Sequence, residues 1–136
     1  MLRAWEQRSS VGVPAGRGRL LSATAGWLRS GDYVHVAGTT ATVDGVVVGQ
    51  GDAGEQTRVT LRIIGDALAK AGATFEQVVR TRIFVVDISD WQAVGAVHGE
   101  VFADIRPVST MVEVSRLIDP AHLVEIEVDA YSPIGG

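Results

Sequence analysis

The sequence contains no cysteine, which excludes disulfide bonds, thiol catalysis and metal sites built on thiolates. Its three histidines, His35, His98 and His122, stand far apart without the spacing of a metal-ligand motif, so no metal is expected. Neither a nucleophile elbow nor a glycine-rich phosphate loop occurs. Their absence argues against hydrolase triads and nucleotide cofactors, and the expectation is a protein without a cofactor.

Long apolar runs are missing as well, so no membrane-spanning segment is expected, and the first residues do not resemble a secretory signal. The expected location is therefore the cytoplasm. The 12 basic residues are scattered among 16 acidic ones, for a net charge of −4. Because nucleic-acid binding depends on clustered positive charge, a nucleic-acid partner is not expected.

The chain has 136 residues, 46% of them hydrophobic, which is enough for one folded domain. Residues 1–19, rich in Gly, Ser and Arg, are predicted to form an N-terminal arm, and residues 20–136 a single domain. Alternating or β-branched patterns predict several strands. These cover residues 21–29, 32–37, 46–48, 78–86, 110–115 and 123–131.

Two helices interrupt the strands. Asp52, three residues before Glu55, is typical of a helix N-terminus and predicts a helix over 53–71 that ends at Gly72. Its apolar stripe is predicted to contain Val59, Ile63, Ala67 and Ala71.

Ser89 with Gln92 is a second capping-box candidate, for a helix that ends before Pro107. Its predicted apolar stripe contains Trp91, Val94, His98, Val101 and Phe102. The order β-β-β-α-β-α-β-β predicts an α+β fold, in which two helices cover one face of a mixed sheet. The other face would be bare in a monomer, which favours self-association.

Five blocks of sequence, in order and in spacing, resemble the Rid (YjgF-type) family of enamine/imine deaminases between residues 21 and 131. The blocks are residues 31–38, 56–57, 79–87, 112–114 and 124–127. The resemblance implies a chorismate-mutase-like fold and a homotrimer with a small-molecule cleft at each subunit interface. It also implies hydrolysis of reactive imines and enamines, with release of ammonia.

One family residue is replaced. The arginine that binds the substrate carboxylate in this family follows a proline by two residues, and Ser109 occupies that position after Pro107. Losing a charge-assisted, two-pronged contact costs about 2 to 5 kcal/mol. Imines of ordinary amino acids should therefore be poor substrates, and a cleft without this arginine would prefer neutral or cationic ligands.

Further candidate binding residues come from the same comparison of patterns. The family's cleft tyrosine corresponds to Thr24, and an asparagine of the second helix corresponds to Gly95. Met111 and Glu113 share a strand face with Ser109 by alternation, so they would lie near the same ligand.

Glu125 corresponds to the family's water-positioning glutamate and is the candidate catalytic residue. The alternative is a solvated acidic strand face, which is also the expectation for Glu127 and Asp129. His98 would be either a proton shuttle or a half-buried histidine with its hydrogen bonds satisfied. For Glu100 the same two alternatives are open, a role at the site or an ordinary surface acid.

Three functions stay open on these residues. The first is a Rid-like trimer that deaminates an imine, enamine or related amine without the usual carboxylate. The second is a trimer that binds a small molecule without catalysis. The third, a ribonuclease or translation inhibitor, is opposed by the acidic charge.

Overall fold

The computed structural model describes residues 9–12 and 26–135, which form one six-stranded sheet, a small hairpin and two helices. The strand order in the sheet is β1-β2-β3-β8-β6-β7; β6 and β7 are parallel, and the other neighbours are antiparallel. The elements are β1 (Ser9–Gly12), β2 (Trp27–Ser30), β3 (Tyr33–Thr39), β4 (Thr42–Val43), β5 (Val46–Val47), α1 (Ala53–Lys70), β6 (Val78–Val85), α2 (Trp91–Phe102), β7 (Val108–Glu113) and β8 (Val124–Tyr131). Strand β1 lies inside the segment predicted as an arm and pairs with β2 at the edge of the sheet.

The hairpin of β4 and β5 turns at Asp44 and Gly45, whose φ angles are 51° and 78°. Two positive φ angles in succession are the geometry of a tight two-residue hairpin, which Asp-Gly adopts readily. The turn predicted from these two residues is confirmed.

Helix α1 has the predicted ends. The Asp52 carboxylate accepts a hydrogen bond from the Glu55 amide at 2.9 Å, which satisfies one of the free amides at the N-terminus. At the other end Gly72 has a φ angle of 82°, and the Ala73 amide returns to the Leu68 carbonyl at 2.8 Å. This pairing ends the helix in a left-handed glycine turn.

Both helices pack on one face of the sheet, as predicted. Helix α1 buries the large side chains of Leu61, Ile64 and Leu68 in the core. Of the predicted stripe, Val59 and Ala71 are buried, whereas Ile63 and Ala67 are half-buried. Phe102 of α2 packs edge-on against Phe75, with ring centroids 5.6 Å apart. These apolar contacts between the helices and the sheet form the core.

The start of α2 differs from the prediction. Ser89 does not cap the helix: its amide and its hydroxyl both donate to the Asp87 carboxylate, which begins a short 3-10 turn, Ile88–Asp90, before α2. Trp91 is not part of the buried stripe, since it is 56% exposed. Val97, absent from the predicted stripe, is buried instead. The first three residues of α2, 91–93, are all exposed.

Arg29 of β2 connects three segments of chain at the C-terminal end of α1. Its guanidinium donates to the carbonyls of Ala71 at 2.8 Å, Ser132 at 2.9 Å, Gly31 at 3.0 Å and Gly72 at 3.3 Å. The carbonyls at a helix C-terminus have no partner within the helix, so a cation there satisfies them and interacts favourably with the helix dipole.

Among residues 9–12 and 26–135, no helix covers the second face of the sheet, here called the open face. It presents aromatic rings at one end, where Tyr33 and Tyr131 are 50% and 44% exposed with ring centroids 5.3 Å apart. In the part of the chain that the structure describes, no helix is long and apolar enough to cross a membrane.

Candidate functional site

Glu125 lies on the open face of β8, where Val124 and Ile126 beside it point into the core. Its carboxyl group is seated over Gly38 of β3: a Cβ atom on that glycine would lie 3.0 Å from both Cδ and Oε1 of the glutamate. The register between β3 and β8 shifts between Val36 and Thr39, so the chain bulges at this glycine. Gly38 therefore provides the space that the carboxyl group occupies.

Burial raises the pKa of the Glu125 carboxyl, because a half-buried carboxylate loses hydration. The charge of His122 acts in the opposite direction, and that of Glu127 adds to the increase. A carboxylate whose pKa lies above the ordinary value accepts a proton from water more readily than a solvated one. These are the properties required of a general base.

His122 is a buried neighbour of this site that the sequence patterns did not single out as functional. Its Nε2 atom lies 2.7 Å from the Thr42 hydroxyl of β4. The wholly buried amide of Gln56 holds the backbone on both sides of it, donating to the Ala121 carbonyl at 2.9 Å and accepting from the Leu123 amide at 2.7 Å. Gln56 belongs to one of the five sequence blocks that resemble the family, and this was the signal in the sequence that could have identified it. The loop before β8 is thus fixed to α1.

The other two acids of β8 are ion-paired and only partly exposed, which corrects the expectation of free surface acids for Glu127 and Asp129. Arg82 of β6 donates to both of them, at 3.1 Å and 3.2 Å, and His35 lies 2.7 Å from Asp129. This network crosses three strands of the open face. Glu125 is outside it, so the three acids that alternation made equivalent have different environments.

Ser109 lies on the opposite side of the sheet, the side covered by the helices. It pairs directly with Thr81 across the parallel strands β7 and β6, and the Thr81 hydroxyl donates to the Ser109 hydroxyl at 2.7 Å. The same Thr81 hydroxyl lies 3.0 Å from Nε2 of His98. Burial lowers the pKa of the His98 ring, which is also in contact with Phe102 at a centroid distance of 4.6 Å. Thr81 was missed because only the register places it beside Ser109.

The remaining candidate residues fall in different places. Met111 pairs with Ile83 on the helix side and is half-buried against the core. The Glu113 carboxylate accepts from the Ile88 amide at 3.0 Å, which gives it a structural contact at the 3-10 turn. Glu100 forms an exposed ion pair with Arg58 that joins the two helices. Thr24 lies outside the described residues.

The chain thus presents two polar groups on opposite faces of one sheet: the Glu125 carboxylate on the open face, and the hydroxyls of Ser109 and Thr81 with His98 on the helix side. Ser109 is exposed on the edge strand β7. A cleft that used both Ser109 and Glu125 would have to receive them from two different subunits. Within residues 9–12 and 26–135, no three acidic or histidine side chains are grouped as a metal site.

Comparisons with known proteins identify the family of the chain. The sequence profile of the family described as endoribonuclease L-PSP matches residues 22–132. The protein SCO2049 of Streptomyces coelicolor is 43% identical over 102 residues, 75% of this chain and 76% of that protein. The RutC family protein slr0709 of Synechocystis is 31% identical over 128 residues, 93% of this chain and 95% of that protein.

A solved structure extends the likeness to three dimensions. The crystal structure of Rv2704 from Mycobacterium tuberculosis, described as a member of the highly conserved YjgF/YER057c/UK114 family, matches with a TM-score of 0.82 and 46% identity. The match covers 90% of this chain and 98% of that one. The α+β fold with two helices on one face of a mixed sheet is therefore confirmed.

Proposed function

Because the chain belongs to the endoribonuclease L-PSP family, also named YjgF or Rid, we propose that it is a homotrimeric deaminase of small imines or enamines. The observation that carries the proposal is the Glu125 carboxyl, half-buried on the open face and seated over Gly38. Its burial raises the pKa of the carboxyl, which favours proton transfer from water. The cytoplasm is the proposed location.

The proposed reaction is addition of water to a C=N bond. Glu125 accepts a proton as the water oxygen bonds to the imine carbon. The protonated carboxyl then returns that proton to the nitrogen, which gives a carbinolamine. Glu125 next takes the proton of the new hydroxyl group and delivers it to the nitrogen as the C–N bond breaks, so that ammonia leaves as the carbonyl forms. The balance is imine plus water giving carbonyl plus ammonia, so no cofactor is consumed.

The trimer is proposed from the open face and from the separation of the two polar groups. The open face combines exposed aromatic rings with charges that are already paired to one another, a surface suited to burial against other copies of itself. Because Ser109 and Glu125 lie on opposite faces of one chain, a cleft between two chains would bring them together. We further propose that Ser109 replaces the family's carboxylate-binding arginine, so that the substrate lacks a carboxylate.

Ammonia release from a panel of imines, generated in solution by oxidation of amines and of amino acids, tests the proposal. The parent should exceed the spontaneous rate on at least one imine without a carboxylate. Glu125→Gln should lower that turnover by about 10²- to 10⁴-fold with the fold retained. Glu127→Gln is the matched control on the same strand face, since Arg82 keeps Asp129 as a partner, and it should be nearly silent.

Two alternatives are separated by the same experiment. If no imine is hydrolysed above the spontaneous rate while a small molecule binds, the protein is a non-catalytic binding trimer. Degradation of RNA that Glu125→Gln abolishes would instead support the ribonuclease activity in the family's name. The net charge of −4 argues against that third function.

A further inference from the structure

A chain of hydrogen bonds runs from the interior to the surface at Ser109. His98 is half-buried on α2, Thr81 is completely buried on β6, and Ser109 is exposed on β7. The distances are 3.0 Å from the His98 ring to the Thr81 hydroxyl and 2.7 Å from there to the Ser109 hydroxyl. A buried threonine needs a single partner to satisfy its hydroxyl. Thr81 has two partners, and the second one is at the surface.

The direction of these bonds determines what Ser109 offers to a ligand. A hydroxyl has one proton, and Thr81 donates its own to Ser109. In the arrangement in which the neutral His98 ring carries its proton on Nε2, the Thr81 oxygen accepts from that N–H. Ser109 already accepts from Thr81, so its own proton is free to point outward. The surface end of the chain is therefore a hydrogen-bond donor.

The three groups carry no formal charge when the imidazole is neutral, and burial favours the neutral imidazole by lowering the pKa of His98. The ring is also held in place by Phe102 beside it. A fixed, uncharged donor suits a neutral oxygen acceptor. A carboxylate would have to give up its hydration for one neutral hydrogen bond, without an opposite charge.

We propose that Ser109, oriented by Thr81 and His98, forms a subsite that binds a neutral carbonyl oxygen of the substrate, such as that of an amide or ketone, in place of a carboxylate. Thr81 and His98 are positioning residues, and Ser109 is the residue that contacts the ligand. The inference rests on the proposed function for the location of the cleft, and it narrows the substrate class to uncharged imines that carry a carbonyl oxygen.

Binding, measured apart from turnover, tests the inference. The probes are pyruvamide and pyruvate, the neutral amide and the anionic carboxylate of the same keto acid, titrated into the full-length protein and followed by NMR. Pyruvamide should bind, and more tightly than pyruvate. Ser109→Ala and Thr81→Val should each weaken pyruvamide binding by about 3- to 10-fold, the effect of one neutral hydrogen bond. Thr81→Ser retains the hydroxyl and should bind almost as well as the parent.

Thr60→Val is a matched control, because Thr60 is also a fully buried threonine but its hydroxyl has no hydrogen-bond partner within the described residues. It should leave binding unchanged. Should Thr81→Val fail to fold, Ser109→Ala on the exposed edge strand decides the question. The proposal is overturned if pyruvate binds as tightly as pyruvamide, if neither binds, or if removing the Ser109 hydroxyl leaves pyruvamide binding unchanged.

This experiment also separates the two proposals. Selective pyruvamide binding that depends on Ser109, without ammonia release from any imine, would refute the deaminase and leave the subsite standing. Ammonia release from an imine, without selective binding of pyruvamide, would support the deaminase and refute the subsite.

Discussion

Replacing Gly38 by alanine should separate function from stability, because the glycine's missing side chain is the space in which Glu125 sits. The added Cβ would lie 3.0 Å from the Cδ and Oε1 atoms of Glu125 and 3.3 Å from Cγ. Ordinary carbon contacts are about 3.5 to 4.0 Å, so the carboxyl group must move by a few tenths of an ångström.

The effect on stability should be small. The atoms that must move are the end of a flexible side chain, and Gly38 is not in the left-handed region that only glycine adopts easily. Alanine at a compatible position also restricts the unfolded chain, which stabilises by about 0.4 to 1 kcal/mol. The free energy of unfolding in urea should therefore stay within about 1 kcal/mol of the parent value.

The effect on turnover should be clear but moderate: a displacement of about 1 Å in a catalytic group can lower the rate by about 10²-fold, so a shift of a few tenths of an ångström should lower it by up to about 10-fold. We expect ammonia release by Gly38→Ala to fall by that order on the best imine of the panel. A second measurement needs no substrate. Moved outward, the carboxyl group would regain hydration, so the pKa of Glu125 measured by NMR should fall toward the ordinary value.

Gly99→Ala is the control for the substitution itself, since a Cβ there, inside α2, would meet no atom within 4 Å. It should stabilise the helix by about 1 kcal/mol and leave ammonia release unchanged. The reasoning is refuted if Gly38→Ala retains parental turnover and an unchanged Glu125 pKa. A loss of more than about 3 kcal/mol would also refute it, since the bulge would then be unable to accept a Cβ.

Four further predictions follow from the same contacts. Activity should fall as the pH decreases through the raised pKa of Glu125. Urea unfolding measured from about pH 8 down to about pH 4 should show the parent becoming more stable relative to Glu125→Gln as the pH decreases. The stability of the parent should increase in this direction because a raised carboxyl pKa means that the folded state holds the proton more tightly. An increase in its relative stability toward higher pH would contradict the prediction. Ser109→Arg should increase ammonia release from imines that carry a carboxylate. It should recover part of the deficit, at least about 30-fold, that the parent should show relative to a family member with the arginine. No increase would mean that Ser109 does not occupy the carboxylate position. Light scattering should give a mass three times the 14.4 kDa of one chain, and a stable monomer or dimer would remove the proposed intersubunit cleft. Arg29→Leu should lower the free energy of unfolding by about 2 to 4 kcal/mol, because four backbone carbonyls lose a charged donor, and a loss within experimental error would show that water replaces it.

The fold could be predicted in large part because its signals are local. Asp52 and Gly72 act on backbone within a few residues, so the ends of α1 were readable from the chain alone. Strand β8 alternates strictly between buried apolar and polar residues, so its two faces were also readable. The predicted start of α2 failed at Ser89, where Asp87, two residues earlier, competed successfully for the cap of a short extra turn.

The candidate site depended on contacts between distant segments. Alternation could not distinguish Glu125 from Glu127, because the difference comes from Gly38 on one neighbouring strand and Arg82 on the other. Residues 28 positions apart meet when Thr81 bonds to Ser109, and only the register of β6 and β7 determines that pairing.

The sequence by itself determined the helix ends, the strand faces and the resemblance to a family, since these depend on near neighbours and on residue order. The tertiary structure alone decided which acid has its pKa raised by desolvation, which histidine acts on it, and that Glu125 and Ser109 lie on opposite faces of the sheet. The physical reason is that desolvation and hydrogen bonding depend on distance in space. Strand register brings together groups that are distant in the chain, and their separation in the sequence does not show that they will meet.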